Sequence, residues 1–259
     1  MVIYKNEELI ESLEDWKRLA PPKSAQQWVD GRSAKESARA WLEGGGEYLP
    51  SDLEILLRDH QAFGPVLHWK AEPEAKLRFD SFRGEPRNSD LAAHVEDSHG
   101  KFLIAVEAKA DETFGEKVSD ALGSALERYA ANAASNGIAR IQQLAIALFK
   151  KRKRGQIALK DVRYQLLTAS AAALCEAEGY GYTRSLLLIQ EFVTDKTLDK
   201  KHERNAKDLN RFLARLSDGE YSSLASGEIV GPIRLPGTPL VSANVELYLG
   251  KLSRNVRAN

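Results

Sequence analysis

Asp90, Glu107 and Lys109 form the charge pattern best suited to chemistry in this chain of 259 residues. They bracket two strand-like runs, Leu91–Glu96 and Lys101–Lys109, joined by the polar turn Asp97-Ser98-His99-Gly100. Turn residues between apolar runs predict a hairpin. With those four residues as the loop, Glu96 faces Lys101, and counting outward brings Asp90 opposite Glu107 on one face of the sheet. The strand period of two puts Lys109 on that face too; a bulge at Gly100 would shift the register by one. Opposed acids repel one another. Two carboxylates with a free edge suit a hard divalent cation such as Mg²⁺ (or Mn²⁺), which takes oxygen ligands and keeps several waters. The competing reading is a surface salt bridge from Asp90 or Glu107 to Lys109, contributing about 0–1 kcal/mol. That accounts for one acid and the base and leaves the second acid unexplained.

The acid-x-Lys spacing alone says little, because Asp15-x-Lys17, Glu74-x-Lys76 and Asp199-x-Lys201 repeat it and are read as chance. What sets Glu107-x-Lys109 apart is the apolar run Phe102–Val106 before it, which drives the strand into a sheet. Charges at the end of a buried strand are uncommon without a reason.

The elements that must position this cluster follow from periodicity. Leu9, Ile10, Leu13 and Trp16 predict a helix over Glu7–Leu19, ended by Pro21-Pro22. Ser33-Ala-Lys-Glu36 has the form of a capping box and opens a helix to Leu42, stopped by Gly44-Gly-Gly46. Another short helix runs from Pro50 through Leu57. Val66–Lys70 and Lys76–Asp80 are predicted strands separated by Pro73, and Ser81–Ser89 a loop. After the hairpin come a helix with Val118, Ala121, Leu122, Ala125 and Tyr129 on one face, then helices over Ile138–Phe149 and from Val162 to about Ala177, with Asp161 as cap. Ser185–Val193 is apolar enough for a central strand covered on both faces. Leu198–Leu216 returns to helix, and Val245–Leu249 alternates like an edge strand. Strands, helices and a buried return strand predict an α/β sandwich around a mixed sheet.

Composition sets limits on function. Lys plus Arg and Asp plus Glu are equal at 37 each, so attraction to nucleic acid has to come from a local patch. Lys150-Lys-Arg-Lys-Arg154 is the strongest charge run, readable as a phosphate contact or as a solvated loop. The single cysteine, Cys175, excludes an internal disulfide and a thiolate zinc cluster, and its helical surroundings fit an inert thiol. The triple glycine lacks the Gly-Lys-Ser/Thr of a phosphate loop, and neither a Gly-x-Ser-x-Gly elbow nor a His-Glu-x-x-His helix occurs. The five histidines are scattered without ligand spacing. An N-terminus without a signal-like apolar core, and the lack of any run of about 18 apolar residues, predict a cytoplasmic protein outside the membrane.

An Asp, sixteen residues, then Glu-x-Lys, with a helix ahead of the strands, resembles the PD-(D/E)XK nuclease superfamily. Gly31–Leu42, Val106–Gly115, Arg163–Leu167 and Leu186–Phe192 are similar to a bacterial branch of it. Ser89 stands where the name-giving proline would be. The resemblance implies a restriction-endonuclease-like α/β fold in the order helix, three strands, helix, strand. It spans about residues 33–216 of a single domain, with 1–32 and 217–259 as decoration. It also implies a Mg²⁺-dependent nuclease, most readily acting on DNA. Asp90, Glu107 and the carbonyl of Ala108 would bind the metal, and Lys109 would orient or help deprotonate the attacking water. Glu36 would be a further acid, its other reading being the capping box, and Gln165 would line the site or simply pack. Glu112 is near enough to contribute, or is a solvated loop acid. Double-strand cleavage with one site per chain would favour a homodimer. The alternatives are a nucleic-acid-binding or regulatory module that keeps the fold without cutting, or an RNA-directed phosphodiesterase.

Overall fold

The computed structural model describes residues 2–257. In chain order the elements are β1 (Val2–Lys5), β2 (Glu8–Leu9), α1 (Leu13–Leu19), α2 (Ser33–Leu42), α3 (Ser51–Arg58), β3 (Val66–Leu77), β4 (Arg87–Asp97) and β5 (Gly100–Lys109). Then follow α4 (Val118–Ala131), α5 (Gly137–Leu148), α6 (Tyr164–Gly179), β6 (Arg184–Val193), α7 (Asp199–Leu216), β7 (Glu228–Ile233) and β8 (Glu246–Asn255). The strands form one mixed eight-stranded sheet in the order β2-β1-β3-β4-β5-β6-β8-β7. Strands β3, β4 and β5 are an antiparallel meander, and β6 returns parallel to β5.

Alternation along β5 decides which layer each face meets. Phe102, Ile104 and Val106 pack with Trp16 of α1, Trp41 of α2 and Leu53 of α3. Leu103 and Ala105 pack on the other side with Ala121 of α4, Leu144 of α5, Leu166 of α6 and Phe212 of α7. Each of the Val, Leu, Ile and Phe side chains among them, fully buried, contributes about 1.5–3 kcal/mol. Both faces of β5 are therefore committed before its charged end is reached. β6 is likewise covered on both faces, as its apolar run predicts.

The β4–β5 hairpin keeps the expected register, with Glu96 paired to Lys101 and Leu91 to Val106. The loop is tighter than the four residues suggest, because Asp97 pairs with Gly100 and only Ser98 and His99 turn. Gly100 sits at φ +115°, a region open to glycine. Asp97 locks the turn to β6, accepting Arg184 Nη2 at 2.7 Å and Nη1 at 2.9 Å as well as the amides of Gly64 and His99. Arg184 also donates to the carbonyls of Ala62 and Gly100 and lies over the Phe63 and Phe102 rings.

Several expectations need correction. The N-terminal apolar pattern is split, since β1 and β2 form a small hairpin and the helix begins only at Leu13, capped by the Ser12 hydroxyl. β1 adds to the sheet parallel to β3. Pro73 does not divide two strands. β3 runs through it, with Pro73 opposite Leu91 and Ala75 opposite Ser89. β4 begins at Arg87, inside the segment predicted as loop. Leu122 and Tyr129 of α4 and Leu198 before α7 are exposed. The Val245–Leu249 pattern belongs to β8, an inner strand between β6 and β7. Among the described residues no helix is long and apolar enough to cross a membrane.

Candidate functional site

The predicted cluster lies where β4 and β5 part. Their ladder ends at Leu91–Val106, one pair short of Asp90 and Glu107. Beyond it the Asp90 carboxylate does the work of a strand, its Oδ2 accepting the Ala108 amide at 2.7 Å. Ser89 fills the same gap, its hydroxyl reaching the carbonyls of Leu91 and Val106 at 3.2 Å each. Ser89 thus caps a carbonyl at the position where a proline would bring no hydroxyl.

Glu107 is 1% exposed and Lys109 is 6% exposed. Lys109 Nζ donates to Glu107 Oε1 at 2.6 Å, and Gln165 Nε2, from the first turn of α6, donates to the same oxygen. The other oxygen, Oε2, is taken by Arg87 Nη2. Lys109 Nζ also sits 5.5 Å from the centre of the Phe114 ring. The structure therefore brings Asp90, Glu107, Lys109 and Gln165 together, with Ala108 between them, and adds Arg87.

Glu36 makes no hydrogen bond to this cluster. Its Oε1 accepts the Gly31 amide at 2.7 Å and Arg39 Nη1 at 2.8 Å. The expected capping box is not formed. Arg32 is the N-cap of α2, and the Ser33 hydroxyl reaches Glu112 Oε1 at 2.8 Å instead. Glu112 is a bracing residue rather than a solvated acid. It also accepts the Ala110 amide, and its carbonyl accepts Asn205 Nδ2 of α7. The basic run Lys150–Arg154 is an exposed loop, tied to the turn after α7 by Lys153–Asp218 and closed on itself by Arg152 on the Gln156 carbonyl. Cys175 is partly buried, and burial pushes its thiol up to about 12, so it stays protonated.

Glu74 is an acid the sequence reading dismissed as part of a chance pattern. Its neighbours in β3 pair with Leu91 and Ser89, which sets it level with Asp90. It adopts φ +47°, an uncommon conformation for a non-glycine residue. The kink is clamped by Lys5 Nζ, which donates to the carbonyls of Pro73 and Glu74 at 3.0 and 2.8 Å and to Glu72 at 2.8 Å. Asn88 Nδ2 donates to Glu74 Oε2. Glu74 and Asp90 together border a cavity of about 70 Å³, walled by Trp16, Trp28, Ser33 and Ser37 on the α1–α2 side. Reading β3 as one strand would have found Glu74 from the register. Arg87 left no such signal, because only the side chain's reach connects it to Glu107.

The electrostatics follow from burial and from an excess of acids. Burial raises the Asp90 carboxyl to about 6, and the charge of Glu107 adds to it. Burial raises Glu74 to about 7, with Asp90 as the second cause. Burial alone would raise Glu107 as well, but Lys109 and Arg87 outweigh it and hold that carboxyl below its ordinary range. Burial opposes charge on Lys109, yet Glu107 and Asp90 keep it an ammonium.

The donor chemistry fits a hard divalent cation in part. Asp90 is tied to a backbone amide and not to a cation, and its weakened acidity marks negative charge that lacks full compensation. Glu107 offers Oε2 only if Arg87 yields it. Among the described residues no three His, Cys, Asp or Glu side chains are gathered as a ready-made cage. Mg²⁺ needs no such cage, since one or two carboxylates with waters and substrate phosphate suffice.

Residues 9–255 match the model of a protein family described as a domain of unknown function (DUF6946). No curated protein and no solved structure matches the chain.

Proposed function

We propose that this chain, which belongs to the DUF6946 family, is a metal-dependent phosphodiester hydrolase of the PD-(D/E)XK type, acting on DNA. One observation carries the reading. A desolvated acid, Glu107, sits with Lys109 and Gln165 on one oxygen while a second acid, Asp90, stands beside it with its acidity weakened. A structural ion pair needs one acid per base; here Asp90, Glu107 and Glu74 are three acids around two bases, Lys109 and Arg87, and the surplus acid suits a cation or a phosphate-bound metal. The order α2, β3, β4, β5, α6, β6, with α3 inserted before β3 and α4 and α5 before α6, supports the same reading.

In this reading Asp90, Glu107 and the carbonyl of Ala108 hold the metal. When bound, a divalent cation polarises a phosphate oxygen and makes an attached water more acidic. Lys109 acts as an ammonium, because its proton is held by the neighbouring acids. It can orient a water and offset charge growing on the phosphate. Glu74, with a carboxyl near 7 beside Asp90, has the acidity suited to accept the proton that the water gives up. Gln165 fixes the Glu107 carboxylate from α6, so that the acid does not swing when Lys109 turns to substrate.

The test is incubation of purified protein with single- and double-stranded DNA and RNA, with Mg²⁺ or with EDTA. A Glu107→Gln/Lys109→Ala variant runs beside it. Metal-dependent cutting that the variant lacks establishes the activity and names the substrate. Equal cutting by both proteins, or none by either, overturns it. A second reading, a binding module that does not cut, draws on the Arg87–Glu107 pair, which already places a cation on Glu107. Nucleic-acid binding without cutting, unchanged by EDTA, would establish it.

A further inference from the structure

Arg87 is held more loosely than Arg184, Arg254 and Arg163; Arg215 also rests on one hydrogen bond, but that bond goes to the neutral Lys150 carbonyl and not to an acid. Arg184 meets Asp97 through two nitrogens, donates to two carbonyls and stacks on two rings. Arg254 meets Asp52 through two nitrogens and Glu43 through one. Arg163 bonds both Asp208 and the Gly115 carbonyl. Among the described residues Arg87 makes a single hydrogen bond, from Nη2 to Glu107 Oε2, although its side chain is only 9% exposed. Paired guanidinium forks give both geometry and energy, so a one-point contact is the weaker hold. Arg87 is also the first residue of β4, paired with Leu77 of β3 directly after the largely exposed segment 81–86.

The oxygen it covers is the one that matters. Lys109 and Gln165 share Oε1, leaving Oε2 as the oxygen of Glu107 that can turn toward a cation beside Asp90. Exchanging a guanidinium for a divalent ion there adds one positive charge beside Asp90, whose carboxylate is bonded to the Ala108 amide and which has no Lys or Arg ion-pair partner among the described residues.

We propose that Arg87 is a resident counter-ion, which holds Glu107 in the metal-free protein and which a divalent cation must displace to bind. This rests on the metal-site reading above and adds a competitor to it. The protein keeps its buried acid neutralised without metal, and its metal affinity is set by the Arg87 contact as well as by the ligands.

The test is calorimetric titration of Mn²⁺ into wild type, Arg87→Gln and Arg87→Lys, with melting curves at zero and saturating Mn²⁺. Close charge pairs couple strongly enough that Arg87→Gln should bind Mn²⁺ about tenfold tighter or more. Its metal-free form should melt below wild type, and the gap should close when Mn²⁺ saturates. Arg87→Lys, with a compact and better hydrated charge, should fall between them, and it serves if the glutamine variant fails to fold. If wild type binds Mn²⁺ and the variants bind it equally or more weakly, the counter-ion proposal is wrong while the metal site stands. If none of the three binds Mn²⁺, the metal site itself is wrong and the proposal falls with it.

Discussion

Replacing Asp90 with Asn should stabilise the fold. The Asp90 carboxyl is raised from its ordinary 3.8 to about 6, first by burial and then by Glu107. A raised acid binds more protons folded than unfolded, so its charge is a penalty on folding. That penalty is fully present above about pH 6 and fades as pH falls toward 3.8. At about 1.4 kcal/mol per pH unit the gap corresponds to at most roughly 3 kcal/mol. Part of it belongs to the mutual repulsion shared with Glu107, so about 1–1.5 kcal/mol is the expected gain. Asn keeps an oxygen to accept the Ala108 amide, so the strand junction survives. For a chain of this size each kcal/mol moves the melting temperature by about 2–4 °C. Scanning calorimetry of wild type and Asp90→Asn should show the variant melting about 2–6 °C higher near neutral pH, with the margin shrinking as pH falls from about 6 to 4. Cleavage should be lost. A variant that melts lower than wild type at neutral pH would refute the reasoning, since Asp90 would then be a partner in a structural ion pair.

Other consequences can be measured alongside. Asp97→Ala leaves Arg184 buried without its acid and should cost about 3–5 kcal/mol in urea unfolding. Because the Asp97 carboxyl is held below its ordinary range, with Arg184 and backbone amides outweighing burial, that contribution is present above about pH 4 and lost below it. Lys109→Met should lower cleavage by about 100-fold or more while Mn²⁺ binding persists; loss of both would mean that Lys109 mainly positions Glu107. Glu36→Gln should retain cleavage and lose about 1–3 kcal/mol of stability from its bonds to Gly31 and Arg39, and a selective loss of activity would return Glu36 to the site. Burial, with Lys70 adding to it, lowers His94 to about 4, so it opposes folding as pH drops from 6.5 through that value. His94→Gln should flatten this part of the stability curve relative to wild type, and an unchanged slope would show that His94 titrates normally.

The parts of the site visible in the sequence are those fixed by local rules. The short polar turn and the alternation on either side of it set the β4–β5 register, and with it the proximity of Asp90, Glu107 and Lys109. The helix carrying Gln165 was placed within two residues at either end. What escaped depends on contacts remote in the chain. Nothing local tells that β3 continues through Pro73, because the strand tolerates the missing amide only with a kink at Glu74 held by Lys5. The Ser33–Glu36 box is sound in pattern but loses to tertiary partners, Ser33 to Glu112 and Glu36 to Gly31 and Arg39. The N-terminal apolar residues read as a helix because their spacing serves both a helix and a hairpin that meets the sheet edge.

The Lys5 clamp also changes what counts as the minimal protein. Judged by the helix–strand order alone, the first 32 residues look dispensable, and a shortened chain from Ser33 would keep each of Asp90, Glu107 and Lys109. Such a chain would lack the ammonium that fastens Pro73 and Glu74, and Trp16 and Trp28 that wall the cavity beside Asp90. The leading segment is in that sense a third wall of the site, added from outside the repeatable core.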